Sequence, residues 1–382
     1  MYNFWLAFQI LIGYNLFMPI TLYFFYRLMK KQQYHPKSIQ EYDYAVIITA
    51  YQQTELLPAV VNSALGMQYS NFLIYVVADN CAGAVLHFED ERVVVLRPEK
   101  VLASNTRSHL YAIANFKRPH QLLTIIDSDN LIEPNYLNEL NVFFANGFEA
   151  VQGLRKPRQL RSTLAALDAA RDLYYHFYDA EVMFNIGSSA TLAGSGMAFD
   201  TALYKRCFEQ HDLSGAGFDK VLQAKILLEG KRIAFAPKAV VYDEKTAEQT
   251  QLVNQRARWI NTWFKYFSLG FNVLYSGIIN LNRNRILFGT TLLRPPLFIF
   301  IIIGGICLTI NLISLNPFWI FWVSGFLCFI LAFYFALQRG GANQEIYRSL
   351  SRIPSFIWLQ LQSLLRIRSA NRRSVATRHH HR

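Results

Sequence analysis

Two long stretches without a charged residue, positions 1–26 and 295–338, constrain the fold of this chain more than any other feature. A helix that crosses a bilayer needs about 20 apolar residues. The first stretch therefore predicts one membrane span. The second is interrupted at Asn311 and at Asn316-Pro317, and it predicts two spans joined by a tight turn. The chain between the two stretches has the composition of a soluble domain.

Basic residues beside both stretches predict how the chain crosses the membrane. Arg27, Lys30 and Lys31 follow the first stretch. The second lies between Arg283, Arg285 and Arg294 on one side and Arg339, Arg348 and Arg352 on the other. Because cytoplasmic flanks are enriched in Lys and Arg, we expect an integral plasma (inner) membrane protein whose middle domain is cytoplasmic. A cleaved signal peptide would carry its basic cluster before the apolar run, so we interpret positions 1–27 as an uncleaved anchor.

The basic surplus of the chain, a net charge of +12, favours a lipid partner over nucleic acid. From position 338 onward the chain carries nine arginines and one glutamate. Positions 353–368 mix aromatic and aliphatic residues with arginine, which is typical of a helix in the membrane interface, and we expect it to bind anionic lipid. We expect no nucleic-acid partner, because no such module is recognisable. The four cysteines lack metal-ligand spacing, and His379-His380-His381 is interpreted as a tail rather than a metal site.

Strand-like and helix-like segments alternate along the middle domain. Apolar runs predict strands at 44–50, 73–78, 93–96 and 122–126. Helical patterns occupy 55–65, with Thr54 as its N-cap, and 104–115. Such alternation predicts an α/β fold with a mostly parallel sheet and helices on both faces.

Acidic residues stand at the ends of two of these strands. Asp127-Ser128-Asp129 follows the fourth strand, and Asp79 ends the second. Ligands bind at the carboxyl edge of open α/β sheets. Hard cations such as Mg²⁺ or Mn²⁺ take carboxylate oxygens and bridge to phosphates. The two aspartates at 127 and 129 therefore predict a metal-held diphosphate, whereas Asp79 has the alternative role of a turn residue that bonds to its own loop.

Three further groups downstream carry candidate chemistry. Gly194-Ser195-Gly196 lets the backbone approach a ligand closely. Asp219 opens an amphipathic helix, where it is either a functional carboxylate or a first-turn residue favoured by the helix dipole. Gln255, Arg258 and Trp259 share one helical face at i, i+3 and i+4. A tryptophan at the membrane boundary is the alternative interpretation of Trp259, because an aromatic-rich run follows it.

The order and spacing of these segments resemble a known family. The segments are Ile-Thr-Ala-Tyr at 48–51, Val-Ala-Asp-Asn at 77–80, Asp-Ser-Asp at 127–129, Gly-Ser-Gly-Met at 194–197, Asp219, and Gln-Arg-Ala-Arg-Trp at 255–259. They resemble the membrane-bound, inverting branch of the family 2 glycosyltransferases, which carries a Q-x-x-R-W motif. That branch contains synthases of cellulose, hyaluronan and poly-N-acetylglucosamine, and the ceramide glucosyltransferases. The resemblance covers positions 42–267 and the membrane topology.

The resemblance implies a GT-A-type fold that binds a nucleotide-sugar donor, most often UDP-linked, together with Mn²⁺ or Mg²⁺. It implies nucleotide contacts from Ala50, Tyr51, Asp79 and Asp127, metal ligands from Asp127 and Asp129, the catalytic base at Asp219, diphosphate contacts from Gln255 and Arg258, and acceptor contacts from Trp259, Gly194, Ser195 and Gly196. The sequence also departs from the family. Gln52-Gln53 stands where Asn-Glu is usual, Phe218 stands where Glu is usual, and Lys100 and Arg107 are both candidates for the family's lysine.

Three functions are consistent with these features. The first is a synthase that extends a glycan at the membrane and passes it outward. The second is a non-processive transferase that glucosylates a ceramide-like lipid, and three spans are few for a polysaccharide channel, which favours this function, a homo-oligomer or a separate export partner. The third is a non-catalytic scaffold, which the retained acidic residues disfavour. The predicted units are an anchor at 1–27, a catalytic domain at 42–258, an interfacial helix at 259–282, a membrane hairpin at 286–338, and a basic interfacial helix and tail at 339–382.

Overall fold

The computed structural model describes residues 2–30, 32–35, 41–81, 83, 85–208, 216–246 and 248–367. The predicted tail histidines His379-His380-His381 lie outside these residues. The strands are β1 (Tyr44–Tyr51), β2 (Phe72–Asp79), β3 (Val93–Leu96), β4 (Leu122–Asp127), β5 (Leu131–Ile132), β6 (Ala150–Pro157), β7 (Met197–Asp200) and β8 (Ile233–Asp243).

Helices occupy the segments between the strands and both ends of the described chain. They are α1 (Tyr2–Leu28), α2 (Leu57–Leu65), α3 (Asn105–Ala114), α4 (Tyr136–Phe144), α5 (Thr163–Tyr175), α6 (Met183–Asn185), α7 (Thr201–Phe208), α8 (Phe218–Leu228), α9 (Gln249–Tyr266), α10 (Leu269–Ile279), α11 (Arg283–Leu293), α12 (Leu297–Ile313), α13 (Trp319–Arg339), α14 (Gln344–Ser349) and α15 (Ile353–Leu365). A π-helix, His176–Val182, continues α5, and a short 3₁₀ turn, Leu350–Arg352, precedes α15.

Most strand pairings in the sheet are parallel, as predicted, including the pair of β6 with β8, but three short antiparallel pairings were not predicted. Within the described residues the strand order is β3-β2-β1-β4-β7-β6-β8-β5. The first four strands in chain order pair in parallel, as the strand–helix alternation predicts. Strand β7 runs antiparallel to both β4 and β6, and β5 runs antiparallel to β8. The alternation holds only in the first half, since β5 has two residues and β7 has four, too few for a periodic signal.

Burial explains why the central strands form where the sequence predicts them. The residues of β1 and β2 are buried almost throughout, as expected for strands covered on both faces. The observed bounds of β1, β2 and β4 differ from the predicted ones by one residue. Ser104 caps α3 by accepting the backbone N–H of Arg107 at 3.4 Å. Thr54 does not cap α2, because that helix begins later, after Leu56.

The apolar helices do not form the three separate long spans that the sequence predicts. Helices α1 and α13 are long and apolar enough to cross a membrane. Helix α12 has 17 residues. It passes the same test only together with α11, and the two are bent by 71°. The break coincides with Pro295-Pro296, since a proline interrupts helical hydrogen bonding and restricts the residue before it. The third predicted span is therefore not established by length and composition.

Polar contacts hold the apolar helices to one another and to the π-helix that continues α5. The Gln9 side-chain oxygen in α1 accepts hydrogen bonds from Asn311 Nδ2 in α12 at 2.5 Å and Trp322 Nε1 in α13 at 2.8 Å. The Tyr26 hydroxyl donates to Glu181 of the π-helix at 2.6 Å, and Tyr178 of the same helix donates to the Ala332 carbonyl at 2.9 Å. The π-helix thus joins α5 to two helices of the apolar bundle.

The predicted interfacial segments are helical within the described residues. The predicted boundary between 258 and 259 falls inside α9, so the Q-x-x-R-W motif and the aromatic run after it form one helix. Large apolar side chains project from the following helix α10, where Phe271, Tyr275 and Ile279 are exposed. Helix α15 packs on α9 through Leu359, which joins Leu252 and Val253 in one apolar cluster.

Candidate functional site

A single cavity of about 1360 Å³ joins the carboxyl edge of the sheet to the apolar helices. Its polar part is lined by the ends of β1, β2 and β4 and by helices α8 and α9. The sequence-predicted residues that line it are Ala50, Tyr51, Asp79, Asp127, Asp129, Gly194, Asp219, Gln255, Arg258 and Trp259. Ser195 and Gly196 are not among the residues that line it. The fold therefore brings together ten candidate residues that are spread over 210 positions of the sequence (Ala50 to Trp259).

Strand register places three of these residues side by side. Tyr51 at the end of β1 lies opposite Asp79 at the end of β2. Thr49 lies opposite Asp127 at the end of β4. The carboxyl ends of parallel strands meet at one edge of a sheet, so the residues that follow them share one ligand-binding crevice.

The Asp127-Ser128-Asp129 segment is a tight turn that is hydrogen-bonded to the glycine-rich loop at 194–196. The Asn130 backbone N–H donates to the Asp127 carbonyl at 3.1 Å. The Asp127 backbone N–H donates to Ser195 Oγ at 3.0 Å, and Ser195 is fully buried. Ser195 thus supports the turn from beneath, which differs from its predicted acceptor contact.

The two glycines beside Ser195 have different positions. Gly194 lines the cavity and has φ of +88°, a left-handed conformation that favours glycine. Gly196 has φ of +66° and packs against β8, where an added Cβ would lie 2.9 Å from Val241 Cγ2. Its carbonyl accepts the Gly153 N–H at 2.8 Å. Of the predicted acceptor glycines, Gly194 alone is placed where a ligand could reach it, and Gly196 serves the packing of the sheet.

Electrostatics distinguish Asp127 from an ordinary surface carboxylate. Burial, and after it the neighbouring Asp129 carboxylate, raise the pKa of Asp127 to about 7, while Arg155 opposes the shift. Two carboxylates held together in a poorly solvated site favour a bound cation or a shared proton. The sequence motif predicted the pair but gave no sign of its burial.

The carboxylate oxygens of this turn suit a hard divalent cation whose coordination is completed by a further ligand. Asp127 and Asp129 offer carboxylate oxygens, which Mg²⁺ and Mn²⁺ prefer. Among the described residues there is no group of three or more His, Cys, Asp or Glu side chains that could hold a metal alone. Mg²⁺ commonly binds through one or two carboxylates with phosphate oxygens and water, which is the arrangement that these two residues allow.

A glycine before helix α8 allows the start of that helix, which carries Asp219, to pack closely against the Q-x-x-R-W helix α9. Gly217 precedes α8 with φ of +99°. A Cβ at this position would lie 2.2 Å from Thr262 Cγ2 and 2.9 Å from Tyr266 Cε2, both on α9. Only glycine permits this close approach. Asp219 in the first turn of α8 consequently faces the same cavity as Arg258 and Trp259.

Helix α9 presents its motif residues to the cavity in two ways. Gln255 and Arg258 face the polar end, and burial lowers the pKa of the Arg258 guanidinium while the Asp127 carboxylate opposes that shift. Trp259 is 39% exposed and lies against two guanidinium groups, with Arg256 at 4.2 Å and Arg171 at 4.8 Å from ring centroids. The motif therefore places a cation near the metal-binding turn and an aromatic surface further along the cavity.

A chain of alternating charges that lines the cavity was not predicted from the sequence. Arg155 donates to the Ala193 carbonyl at 2.5 Å and to Asp243 at 2.7 Å. Lys245 donates to Asp243 at 2.8 Å and also contacts Asp172. The only signal in the sequence was the position of Asp243 at the end of a strand-like run. This chain of charges connects the loop before Gly194 to helix α5.

The far end of the cavity has a largely apolar lining that four helices supply. Its lining comes from α5, α12, α13 and α15, and includes Leu167, Ala170, Phe298, Ile301, Phe326, Phe329, Ile330, Phe333, Leu337, Ile353, Phe356 and Ile357. Trp259 lines the same cavity. A ligand with a polar head and a long apolar chain matches this lining.

The comparisons with known proteins agree with this architecture. A family model described as "Glycosyltransferase like family 2" matches residues 42–262. The chain is similar to the mannosyltransferase PcManGT from Pyrobaculum calidifontis in complex with GDP-Man and Mn²⁺, with a TM-score of 0.54 and 14% identity over 94% of this chain and 98% of that chain. TarS 1-349 of S. aureus matches at 14% identity over 86% of this chain and 90% of that chain, with TM-scores of 0.41 alone and 0.43 with UDP-GlcNAc. The search of curated proteins gave no significant match.

Proposed function

The chain belongs to the Glycosyltransferase like family 2, and from this premise we propose that it is an inverting, metal-dependent transferase that moves a sugar from a nucleotide-sugar to a membrane lipid. One observation carries the proposal. One cavity contains the carboxylates of Asp79, Asp127, Asp129 and Asp219 at one end. Its other end has an apolar lining from the helices α12, α13 and α15. The polar donor can therefore bind at the polar end and the lipid acceptor at the apolar end, and the two can meet within the same cavity.

The donor end suits a nucleoside diphosphate sugar. Asp127 and Asp129 would hold Mn²⁺ or Mg²⁺, and the cation would neutralise charge on the departing diphosphate. The half-buried Arg258 guanidinium interacts electrostatically with the Asp127 carboxylate, and guanidinium groups bind phosphate through paired hydrogen bonds. Ala50, Tyr51 and Asp79 would contact the nucleotide, which we expect to be uridine. The mannosyltransferase that shares the fold is in complex with a ligand of this class and with Mn²⁺.

The transfer step needs a base on the acceptor side. Asp219 would accept the proton of the acceptor hydroxyl as its oxygen attacks the anomeric carbon. The bond between that carbon and the diphosphate oxygen breaks, and the nucleoside diphosphate leaves with the electron pair. Attack from the face opposite the leaving group inverts the anomeric configuration. Trp259 would contact the acceptor beside the base, since aromatic faces suit the apolar face of a sugar or the neck of a lipid.

The cavity lining favours a lipid acceptor over a growing glycan. A glycan would require a polar path across the membrane, whereas the wall formed by α12, α13 and α15 is apolar. Within the part of the chain that the structure describes, two helices are long enough to cross a membrane, and the bent pair α11–α12 adds a third at most. A polysaccharide synthase of this size would need further copies or an export partner.

The experiment uses the purified protein in nanodiscs of anionic lipid with radiolabelled UDP- and GDP-sugars and Mn²⁺ or Mg²⁺. The proposal predicts label in the organic phase as a lipid that carries one sugar. A high polymer would establish the synthase function instead, and no turnover of any donor would support the scaffold function.

A matched pair of variants on α12 tests the apolar end. Ile301 lines the cavity, whereas Ile306 on the same helix is 53% exposed and is not among the lining residues. Ile301→Trp should abolish labelling of lipid and spare hydrolysis of the donor by water. Ile306→Trp, which adds the same volume outside the cavity, should leave both rates unchanged. Equal effects of the two substitutions would contradict a lipid site at this end.

A further inference from the structure

A buried ion pair joins α5 to the Q-x-x-R-W helix beside the tryptophan. The Arg256 guanidinium contacts the Asp168 carboxylate, and the two residues are 2% and 3% exposed. Asp168 also lies 3.4 Å from Arg171 Nη2, so one carboxylate serves two guanidinium groups. Burial of an ion pair away from water is costly unless further contacts compensate both charges. The position of this pair therefore requires an explanation beyond stability.

The compensating contact of Arg256 is the indole ring of Trp259. Nε and Nη1 of Arg256 have no hydrogen-bond acceptor among the described residues. Its guanidinium carbon lies 4.2 Å from a ring centroid of Trp259, and that of Arg171 lies 4.8 Å away. A cation over an indole face is attracted by the ring quadrupole, and the attraction grows when the site is desolvated. The indole thus lies against two cations, of which Arg256 is held by Asp168 and Arg171 by both Asp168 and Asp172.

We propose that Asp168 and Arg256 are positioning residues that set the orientation of Trp259 toward the acceptor. The inference rests on the proposed function for the acceptor role of Trp259, but the geometry behind it is independent of that role. Asp168 lies on α5, 91 positions before Trp259 in the sequence, and α5 also lines the apolar end of the cavity through Leu167 and Ala170. The same helix would then shape the lipid site and hold the aromatic contact beside it.

A positioning role predicts a specific kinetic change. When the cation is removed, the indole can rotate in the cavity while the carboxylates at the donor end keep their places. Transfer to the lipid acceptor should fall relative to hydrolysis of the same donor by water, because water needs no aromatic contact. The expected loss in this ratio for Arg256→Gln is about tenfold, the factor that corresponds to 1.4 kcal/mol. Arg256→Lys keeps a cation and should restore much of the ratio.

The experiment combines an activity readout with a structural one. Oxidation of Trp259 and of Trp358 by N-bromosuccinimide is followed by mass spectrometry in nanodisc-embedded protein. Trp358 is 61% exposed and serves as the internal reference. Trp259 should react more slowly than Trp358 in the wild-type protein and approach its rate in Arg256→Gln. The transfer-to-hydrolysis ratio is measured in parallel with the nucleotide-sugar that the wild-type protein consumes fastest in the UDP- and GDP-sugar panel.

A matched control and a second variant keep the test decisive. Arg92 pairs with Asp90 and lies 5.1 Å from the Phe72 ring centroid, outside the residues that line the cavity. Arg92→Gln removes the same kinds of contact and should change neither readout. If Arg256→Gln does not fold, the double variant Asp168→Leu with Arg256→Met replaces the pair by apolar side chains, which buried sites often tolerate.

Each outcome decides the inference. Faster oxidation of Trp259 with a lower transfer-to-hydrolysis ratio supports it. Unchanged oxidation overturns the positioning role, and this holds even if the wild-type protein consumes no nucleotide-sugar, in which case the proposed function fails separately. Faster oxidation with an unchanged ratio overturns the link between Trp259 and the acceptor.

Discussion

The carboxylate of Asp79 accepts a hydrogen bond from the backbone N–H of Ala103 at 2.7 Å, and its other oxygen accepts one from Leu102 at 2.9 Å. Ala103 has φ of +46°, a left-handed conformation that is uncommon for residues other than glycine. Asp79 therefore ties the loop before α3 to the end of β2, beside the cavity that both line. The alternative role expected for Asp79 was a turn residue that bonds to its own loop, whereas its partners lie 23 and 24 positions later, and its predicted contact with the nucleotide stays a prediction.

Removal of this carboxylate should loosen the loop and the nucleotide site together. Asp79→Ala leaves two backbone N–H groups without their acceptor, and we expect a loss of about 1.5–3 kcal/mol in the free energy of unfolding, as for other hydrogen bonds to charged groups. Nucleotide affinity, measured by calorimetry, should fall as well. Asp90→Ala removes a carboxylate from a partly exposed pair with Arg92 and should cost at most about 1 kcal/mol. Equal losses in the two variants would contradict the role of Asp79 in holding the loop.

Replacement of the proposed base should separate binding from transfer. Asp219→Asn keeps the size of the side chain but cannot accept the acceptor proton, so transfer should fall by at least about 10²-fold while nucleotide binding persists. Asp200 is the matched control, because its carboxylate accepts the Leu203 N–H at the start of α7 and it is not a lining residue. Near-normal turnover in Asp219→Asn would show that this residue only favours the helix start.

Metal binding should depend on pH in the direction set by Asp127. Burial and Asp129 raise the pKa of Asp127 to about 7. A cation needs the ionised carboxylate, so Mn²⁺ affinity measured by calorimetry should weaken as the pH falls from 8 to 6, by up to about tenfold per pH unit below the pKa. Without metal the folded state holds this proton more tightly than the unfolded chain, so the contribution of Asp127 to stability falls as pH rises from about 4 to about 7.

Added Mn²⁺ should reverse the loss of stability above pH 7, and a thermal melt in buffer with and without EDTA measures this. Asp129→Ala should remove both the metal-induced stabilisation and the activity. Full activity in excess EDTA would contradict the metal assignment.

The parts of the site that follow strand ends could be predicted, because a buried strand and the residues after it form a local pattern. Asp127 and Asp79 stand where the apolar periodicity stops, and the register of parallel strands then places them together. The mixed half of the sheet could not be predicted in the same way. Strands of two and four residues carry no periodic signal, and their direction depends on pairing with distant segments.

The charged contacts in the lining of the cavity escaped prediction for a different reason. Asp168 and Arg256 are 88 positions apart in the sequence (256 − 168), and Asp172 and Lys245 are 73 apart. A charge pattern on one helix predicts its neighbours at i+3 and i+4, but it does not identify a partner on another helix. Position 256 is one of the two variable positions within the Q-x-x-R-W pattern, so the motif gave it no role.

The last prediction concerns Asn311, which in the sequence only interrupts an apolar stretch. Its side chain donates to Gln9 Oε1 across 302 positions of the chain, and the same oxygen accepts from Trp322. All three residues are buried, and Gln9→Leu would leave the Trp322 N–H without its acceptor and the Asn311 amide with only the Cys307 carbonyl of its own helix. Polar contacts between membrane helices contribute about 0.6–2 kcal/mol each, so this substitution should lower the stability of the helical bundle measurably.

Thermal unfolding in detergent measures the effect of Gln9→Leu, and Thr309→Val provides the control. The Thr309 hydroxyl bonds within its own helix to the Gly305 carbonyl, so its removal spares every contact between helices. The melting temperature of the bundle should be lower in Gln9→Leu and unchanged in Thr309→Val. Because Gln9 is on α1 and Asn311 on the short helix α12, the same result would show that α12 stays beside α1 although it is bent away from α11. Equal melting of both variants and the wild-type protein would show that this contact between α12 and α1 does not hold the bundle together.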